Sequence, residues 1–196
     1  MTVMEFFGCG LIAFGPPFSM FCLTICKDPI RIIILISAEA EAGLQKVSEV
    51  GVQNPVVTDR LTLSYVAGLG FGIMSGAFSL VNVLADAIGP GTVGLHGDSP
   101  YFFLASAFTT LAFILLHTFW GIIFFQALDM KNYILLAYVF FCHLSVSALT
   151  LFNKSQSYAA SIPPIYIITL VTAGLAFKAA GGSFNNVKAA CVSRRN

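Results

Sequence analysis

The sequence predicts an all-α fold: a polytopic transmembrane bundle of five helical spans, with the N-terminus lumenal or extracellular and the C-terminus cytosolic. Three observations predict it. Hydrophobic residues make up 57% of the 196-residue chain and charged residues only 10%, where a soluble domain carries about 25% charged residues. The ten basic and nine acidic side chains are bunched, and the uncharged stretches between them match the ~20 residues that a helix needs to cross hydrocarbon. The basic residues also alternate from loop to loop, as the positive-inside rule requires. This composition excludes a disordered chain and a soluble enzyme. A net charge of +1 without a long basic run excludes nucleic acid as a partner. Barrel strands would be ~10 residues of strict alternation, and these runs are longer and uniformly apolar.

The first span is placed at 6–26, uncharged from Phe6 to Cys26. Glu5 is the only earlier charge and no A-x-A site follows, so the span reads as an uncleaved anchor. Gly15-Pro16-Pro17 at its middle removes two backbone donors and predicts a kink. Residues 27–60 read as cytosolic. Within them Arg31–Ala38 begins an apolar run that stops too soon to span, and Glu39–Val50 is polar. The second span is placed at 61–85. The third, 101–128, and the fourth, 132–152, each carry one histidine, His117 and His143. The turn Asp129–Lys131 is so short that these two must form an antiparallel hairpin. The fifth span, 162–180, ends near Lys178, whose stem can snorkel to the interface, and 181–196 is a cytosolic tail.

Charge orients the bundle. Residues 27–60 hold Lys27, Arg31, Lys46 and Arg60, the turn holds Lys131, and the tail region holds Lys178, Lys188, Arg194 and Arg195. The alternate loops hold only Lys154, with Asp86 and Asp98 between the second and third spans.

Several features could carry function. In the second span Ser64, Gly68, Gly72 and Gly76 recur every four residues on one helix face. Such a face lets another backbone approach closely, either within the chain or from another subunit. His117 and His143 lie about thirteen residues either side of the turn, hence at similar depth, about 20 Å from it at ~1.5 Å per residue. Ionisable groups inside a membrane are costly and usually functional. The plainer reading is a neutral imidazole bonded to a hydroxyl such as Thr118 or Ser147. The loop Asp86–Pro100 contains His96, Gly97, Asp98, Ser99 and Pro100. It lacks a nucleophile-and-base arrangement and reads as a lumenal docking loop, with Asp98-Ser99-Pro100 capping the third span. Asn153-Lys154-Ser155 is a glycosylation sequon too close to the membrane for ready use. No cysteine falls in an outer loop, so a structural disulfide is not expected; Cys26 is a candidate for palmitoylation. No Cys/His spacing fits a metal, and no cofactor or small-molecule substrate is expected. An aspartyl protease would need two aspartates inside spans, and a rhomboid-type site would need Gly-x-Ser-Gly; neither is present. A small transporter or hydrolase acting through His117 and His143 is the alternative from another class, and the absence of any intramembrane acid weighs against it.

Phe6-Phe7-Gly8-Cys9, Asp28-Pro29-Ile30-Arg31, Tyr65-Val66-Ala67-Gly68-Leu69, Phe71-Gly72-Ile73-Met74-Ser75-Gly76, His96-Gly97-Asp98-Ser99-Pro100 and Leu116-His117-Thr118-Phe119-Trp120-Gly121 occur in this order. The chain resembles the anterior pharynx-defective (Aph) family, a subunit of γ-secretase, over nearly its whole length. The resemblance implies a seven-span, non-catalytic scaffold of the endoplasmic reticulum, Golgi and plasma membrane. It implies nicastrin, presenilin and the presenilin enhancer as partners in the lipid bilayer, and cleavage of Notch and amyloid-precursor-type stubs by the complex. It maps Gly68, Gly72 and Gly76 to assembly, and His117 and His143 to presenilin contact. It also implies a gap. After Ile36 the family continues through its second and third spans, whereas here Ala38 meets Glu39-Ala40-Glu41, which resembles the stretch after the third. Roughly sixty residues are expected to be missing at a junction near 38/39. Loss of two spans preserves the sidedness of both termini, but leaves a defective or dominant-negative short form as a further alternative.

Overall fold

A computed structural model describes residues 3–26, 60–88 and 101–183, with side chains over 7–26, 60–80 and 101–183. It contains α1 (Val3–Thr24), α2 (Arg60–Ile88), α3 (Phe102–Asp129), α4 (Tyr133–Leu149), a 3-10 turn (Thr150–Ser155) and α5 (Tyr158–Ala179). No strand occurs among the described residues. The reason is the solvent: hydrocarbon offers backbone groups no hydrogen bonds, so each apolar run satisfies them internally as helix. Five segments are long and apolar enough to cross a membrane, α4 doing so together with the 3-10 turn as Tyr133–Ser155. The all-α, five-span expectation holds. The segment 27–59, the loop 89–100 and the tail from 184 lie outside the described residues, and with them the apparent junction near 38/39.

Details of the sequence explain the helix boundaries. α1 runs through Pro16 and Pro17 as one helix. Pro17 is fully buried, and Ser19 Oγ donates to the Gly15 carbonyl at 2.9 Å. α5 begins at Tyr158, four residues before the expected 162, and carries Pro163 and Pro164 inside it. Ser161 looks like a polar boundary in the sequence, but it is completely buried within the helix. The expected cap on α3 needs correction. Its N-cap is Tyr101, with no side-chain capping bond; Asp98, Ser99 and Pro100 precede that position. Proline disfavours helical geometry in the residue before it, which weighs against a start at Ser99.

Three helix ends close in the same way. After α3, Lys131 N donates to Leu128 O at 3.1 Å and Asn132 N to Ala127 O at 2.8 Å. After the 3-10 turn, Gln156 N bonds Asn153 O and Ser157 N bonds Phe152 O, both at 3.1 Å. After α5, Gly181 N bonds Lys178 O at 3.0 Å and Gly182 N bonds Phe177 O at 2.9 Å. Each places a residue in the left-handed region: Lys131 (φ 52°), Gln156 (φ 59°) and Gly181 (φ 78°). This Schellman closure satisfies otherwise orphaned carbonyls, and only the last uses the residue type that adopts it without strain. Asn132 then caps α4, its Oδ1 accepting from Ile134 N and Leu135 N at 3.2 and 3.3 Å.

α3 is the hub and packs against each of the other four helices. One cluster joins Ile25, Val66, Leu69 and Ile114 across α1, α2 and α3. A second joins Leu116 and Trp120 of α3 to Cys142 and Val146 of α4 and Ile165 of α5. A third joins Cys9 and Ala13 to Leu80 and Ala107. Side-chain hydrogen bonds cross to α5: Tyr138 Oη with Thr172 Oγ1 at 2.9 Å, Cys142 Sγ with the same Thr172 Oγ1 at 3.9 Å, and Tyr166 Oη to the Phe108 carbonyl at 3.0 Å. An Arg60–Asp129 ion pair ties the start of α2 to the end of α3. Phe7, Phe18, Phe78, Phe140, Phe141 and Leu170 point outward. This is the pattern of a lipid-facing surface rather than of a soluble one.

Candidate functional site: a glycine clasp and a ring cluster

Ser64, Gly68, Gly72 and Gly76 form a buried stripe along α2, and α3 of the same chain fills it. A Cβ added at Gly68 would meet the His117 carbonyl at 2.9 Å and the Thr118 carbonyl at 3.0 Å. At Gly72 it would meet the Ile114 carbonyl at 2.7 Å and His117 Cβ at 3.3 Å. At Gly76 it would meet the Ile114 side chain at 2.7 Å. At Gly68 and Gly72 the close atoms are backbone, so only glycine allows the approach there, whereas at Gly76 the neighbour is a side chain that can shift. α3 reciprocates with Gly121, where a Cβ would come within 3.0 Å of both Gly68 Cα and the Ser64 carbonyl. Ser64 Oγ folds back to the Arg60 carbonyl at 2.5 Å, so its hydroxyl does not hold the helices apart. The stripe could have served an internal neighbour or another subunit; here the neighbour is internal. Gly121 is the clasp residue that sequence reading missed. Its signal is a lone glycine following Trp120 on a helix otherwise rich in bulky side chains.

The clasp grips α3 at the turn that carries His117. His117 Nδ1 lies 2.7 Å from the Phe113 carbonyl, so the ring bonds its own helix and not a hydroxyl. Thr118 Oγ1 is committed to the Ile114 carbonyl at 2.9 Å. The structure brings His117 and His143 into contact, with ring centroids 5.6 Å apart and planes at 79°. Trp120 completes a triangle, 5.4 Å from His117 and 4.9 Å from His143. Phe71 of α2 lies on the other side of His117 at 5.0 Å. The glycine stripe and the histidine pair, separate in the sequence, are thus one structure: the stripe seats α3, and α3 presents His117 to the rings around it.

The two histidines differ in exposure. His117 is half-buried, whereas His143 is exposed on the outer side of α4, at the edge of a cavity of about 570 Å³ lined by Phe124, Tyr133, Phe140 and Phe141. The buried indole nitrogen of Trp120 has no hydrogen-bond partner. A buried donor without a partner costs about 1–3 kcal/mol. Among the described residues no carboxylate is in contact with the rings, and no group of three or more His, Cys, Asp or Glu could hold a metal ion. On its outer side the cluster presents the exposed His143 ring beside apolar surface. His96, Gly97, Asp98, Ser99 and Pro100 lie outside the described residues. Asn153 sits in the 3-10 turn with its side-chain oxygen buried.

A family model described as "Aph-1 protein" matches residues 4–40 and 37–183 of the chain. The chain is 43% identical to gamma-secretase subunit Aph-1 of Drosophila melanogaster over 230 aligned positions, covering 93% of this chain and 95% of that protein. It is 40% identical to gamma-secretase subunit APH-1B of Homo sapiens and 39% identical to gamma-secretase subunit Aph-1b of Danio rerio. Each of those alignments covers 242 positions, 96% of this chain and 93% of the relative. Since 93% of 196 residues is about 182, some 48 positions of the fly alignment fall opposite no residue of this chain. The family match itself divides at 37–40.

Proposed function

The chain belongs to the Aph-1 family, and from that membership we propose the part it plays as a γ-secretase subunit: a non-catalytic scaffold on which nicastrin, presenilin and the presenilin enhancer assemble in the endoplasmic reticulum, Golgi and plasma membrane. The observation that carries the scaffold reading is the split between the two halves of the site. The glycine clasp is consumed inside the chain, so it serves to hold α3 in place. His143 and the apolar cavity beside it face outward, so they serve as the surface offered to a partner helix. In hydrocarbon an exposed imidazole is costly unless a neighbour covers it. A presenilin helix supplying a hydrogen-bond acceptor at that depth accounts for the exposed ring. The lumenal docking loop containing His96–Pro100 is proposed to meet nicastrin, on the sidedness that loop charges support.

The two-part family match and the unaligned positions support an internal loss of two spans near residues 38/39. The clasp and the ring cluster are built wholly from residues after that point, so the short form keeps them. Affinity recovery of this chain from cells without their own Aph-1, probed for nicastrin and presenilin and assayed for stub cleavage, tests the reading. Recovery of both partners is expected. If a full-length relative recovers them and this chain does not, the missing spans carry the assembly surface and the proposal fails for the short form.

A further inference from the structure

A crevice of about 390 Å³ opens between α3, α4 and α5 at the end of the bundle that bears the α3–α4 turn. Its wall is apolar, with Ile134, Leu135 and Leu175. Its mouth is polar, with Gln126, Asn132 and Lys178, and no acidic side chain lines it. Lys131 stands exposed on the adjoining turn, held there by its left-handed backbone. The neighbouring cavity provides a contrast: there Arg60 is already paired with Asp129, so its charge is cancelled. Two further details suit an anion at this mouth. The Ala127 and Leu128 carbonyls of α3 and the Phe177 and Lys178 carbonyls of α5, which would repel it, accept the Schellman bonds. Asn132 accepts through Oδ1 from the first turn of α4, which leaves its amide NH₂ as a donor. A polar, cationic rim above an apolar slot at a helix-end boundary has the shape and charge of a lipid site.

We propose that this crevice holds one anionic glycerophospholipid, its phosphate at Lys178, Asn132 and Lys131 and an acyl chain along Leu175 and Leu135. The leaflet assigned to it rests on the sidedness proposed above; the binding itself does not, because a nanodisc presents both leaflets. The test uses the purified full chain in phosphatidylcholine nanodiscs doped with phosphatidylserine, followed by release into the gas phase and mass measurement of co-purifying lipid. The chain is expected to retain phosphatidylserine over phosphatidylcholine by about fivefold for each lysine engaged. Lys178→Gln together with Lys131→Gln should bring the ratio to about one, with monomer yield and helix content unchanged. Lys154→Gln, at the opposite end, should leave it intact. Equal retention of the two lipids by the unaltered chain overturns the proposal. So does a preference that survives the double variant, or one that Lys154→Gln lowers as much, since that would be unspecific attraction to surface charge.

Discussion

At the level of single residues, a glycine here is judged by what stands opposite it. Gly72 faces the Ile114 carbonyl at a distance that leaves no room for a methyl group, while Gly174, also helical, has open space around it. Gly72→Ala is expected to destabilise the fold by about 1–3 kcal/mol through overpacking. Gly174→Ala should be neutral or stabilising by up to about 1 kcal/mol, because alanine is the better helix former. Unfolding in graded SDS, followed by circular dichroism, separates the two; equal effects would mean the clasp does not set the α2–α3 distance. Lys131 gives a third case. It occupies the left-handed position that Gly181 occupies at the end of α5, and Lys131→Gly should add about 0.5–1 kcal/mol by relieving that backbone. The same assay reads it, and a loss of stability would contradict the strain argument.

Among the helices, α3 and α4 answer differently to substitution. α3 meets every other helix, whereas α4 buries only Cys142 and Val146. A change on α3 therefore disturbs packing, and a change on the outer side of α4 disturbs whatever covers it. His117→Ala should cost about 1–3 kcal/mol, by emptying a site enclosed by Phe71, Trp120 and His143. His143→Phe should leave the unfolding midpoint nearly unchanged and lower the recovery of presenilin. Measuring both quantities on both variants tests the division of labour; a His143 variant that unfolds like the His117 one would make the pair purely structural. Tyr138→Phe removes the bond to Thr172 and should cost about 0.6 kcal/mol, typical of hydrogen bonds between membrane helices. The sequence made part of this visible. The short turn at Asp129–Lys131 dictates that His117 and His143 share a depth, but depth leaves the helical phase open, and phase decides whether the rings touch. It could not show which helix fills the glycine stripe, since a small-residue face is equally suited to a neighbour in the chain or outside it.

For the whole molecule, the long uncharged runs made the five spans legible, because in hydrocarbon one requirement, internally satisfied backbone, dominates all others. What stayed illegible depended on contacts between distant segments: the role of Gly121, the buried setting of Ser161, and the N-cap of α3 at Tyr101 rather than at the aspartate and serine before it. The pattern of cations makes a sharp statement about sidedness. A glycosylation acceptor introduced into the segment 27–59 should remain unmodified, while one introduced at 89–95 should be glycosylated in microsomes. The reverse result would invert the bundle and with it the leaflet assigned to the lipid crevice.

The clasp has a consequence for biosynthesis. Both of its halves, from Ser64 to Gly76 and from Thr110 to Gly121, come from neighbouring spans of one uninterrupted stretch of chain. It can close as soon as α3 has left the translocon, without waiting for anything encoded earlier. A transcript that omits upstream spans therefore still delivers the same clasp to the membrane. What changes is how many helices are present to join it.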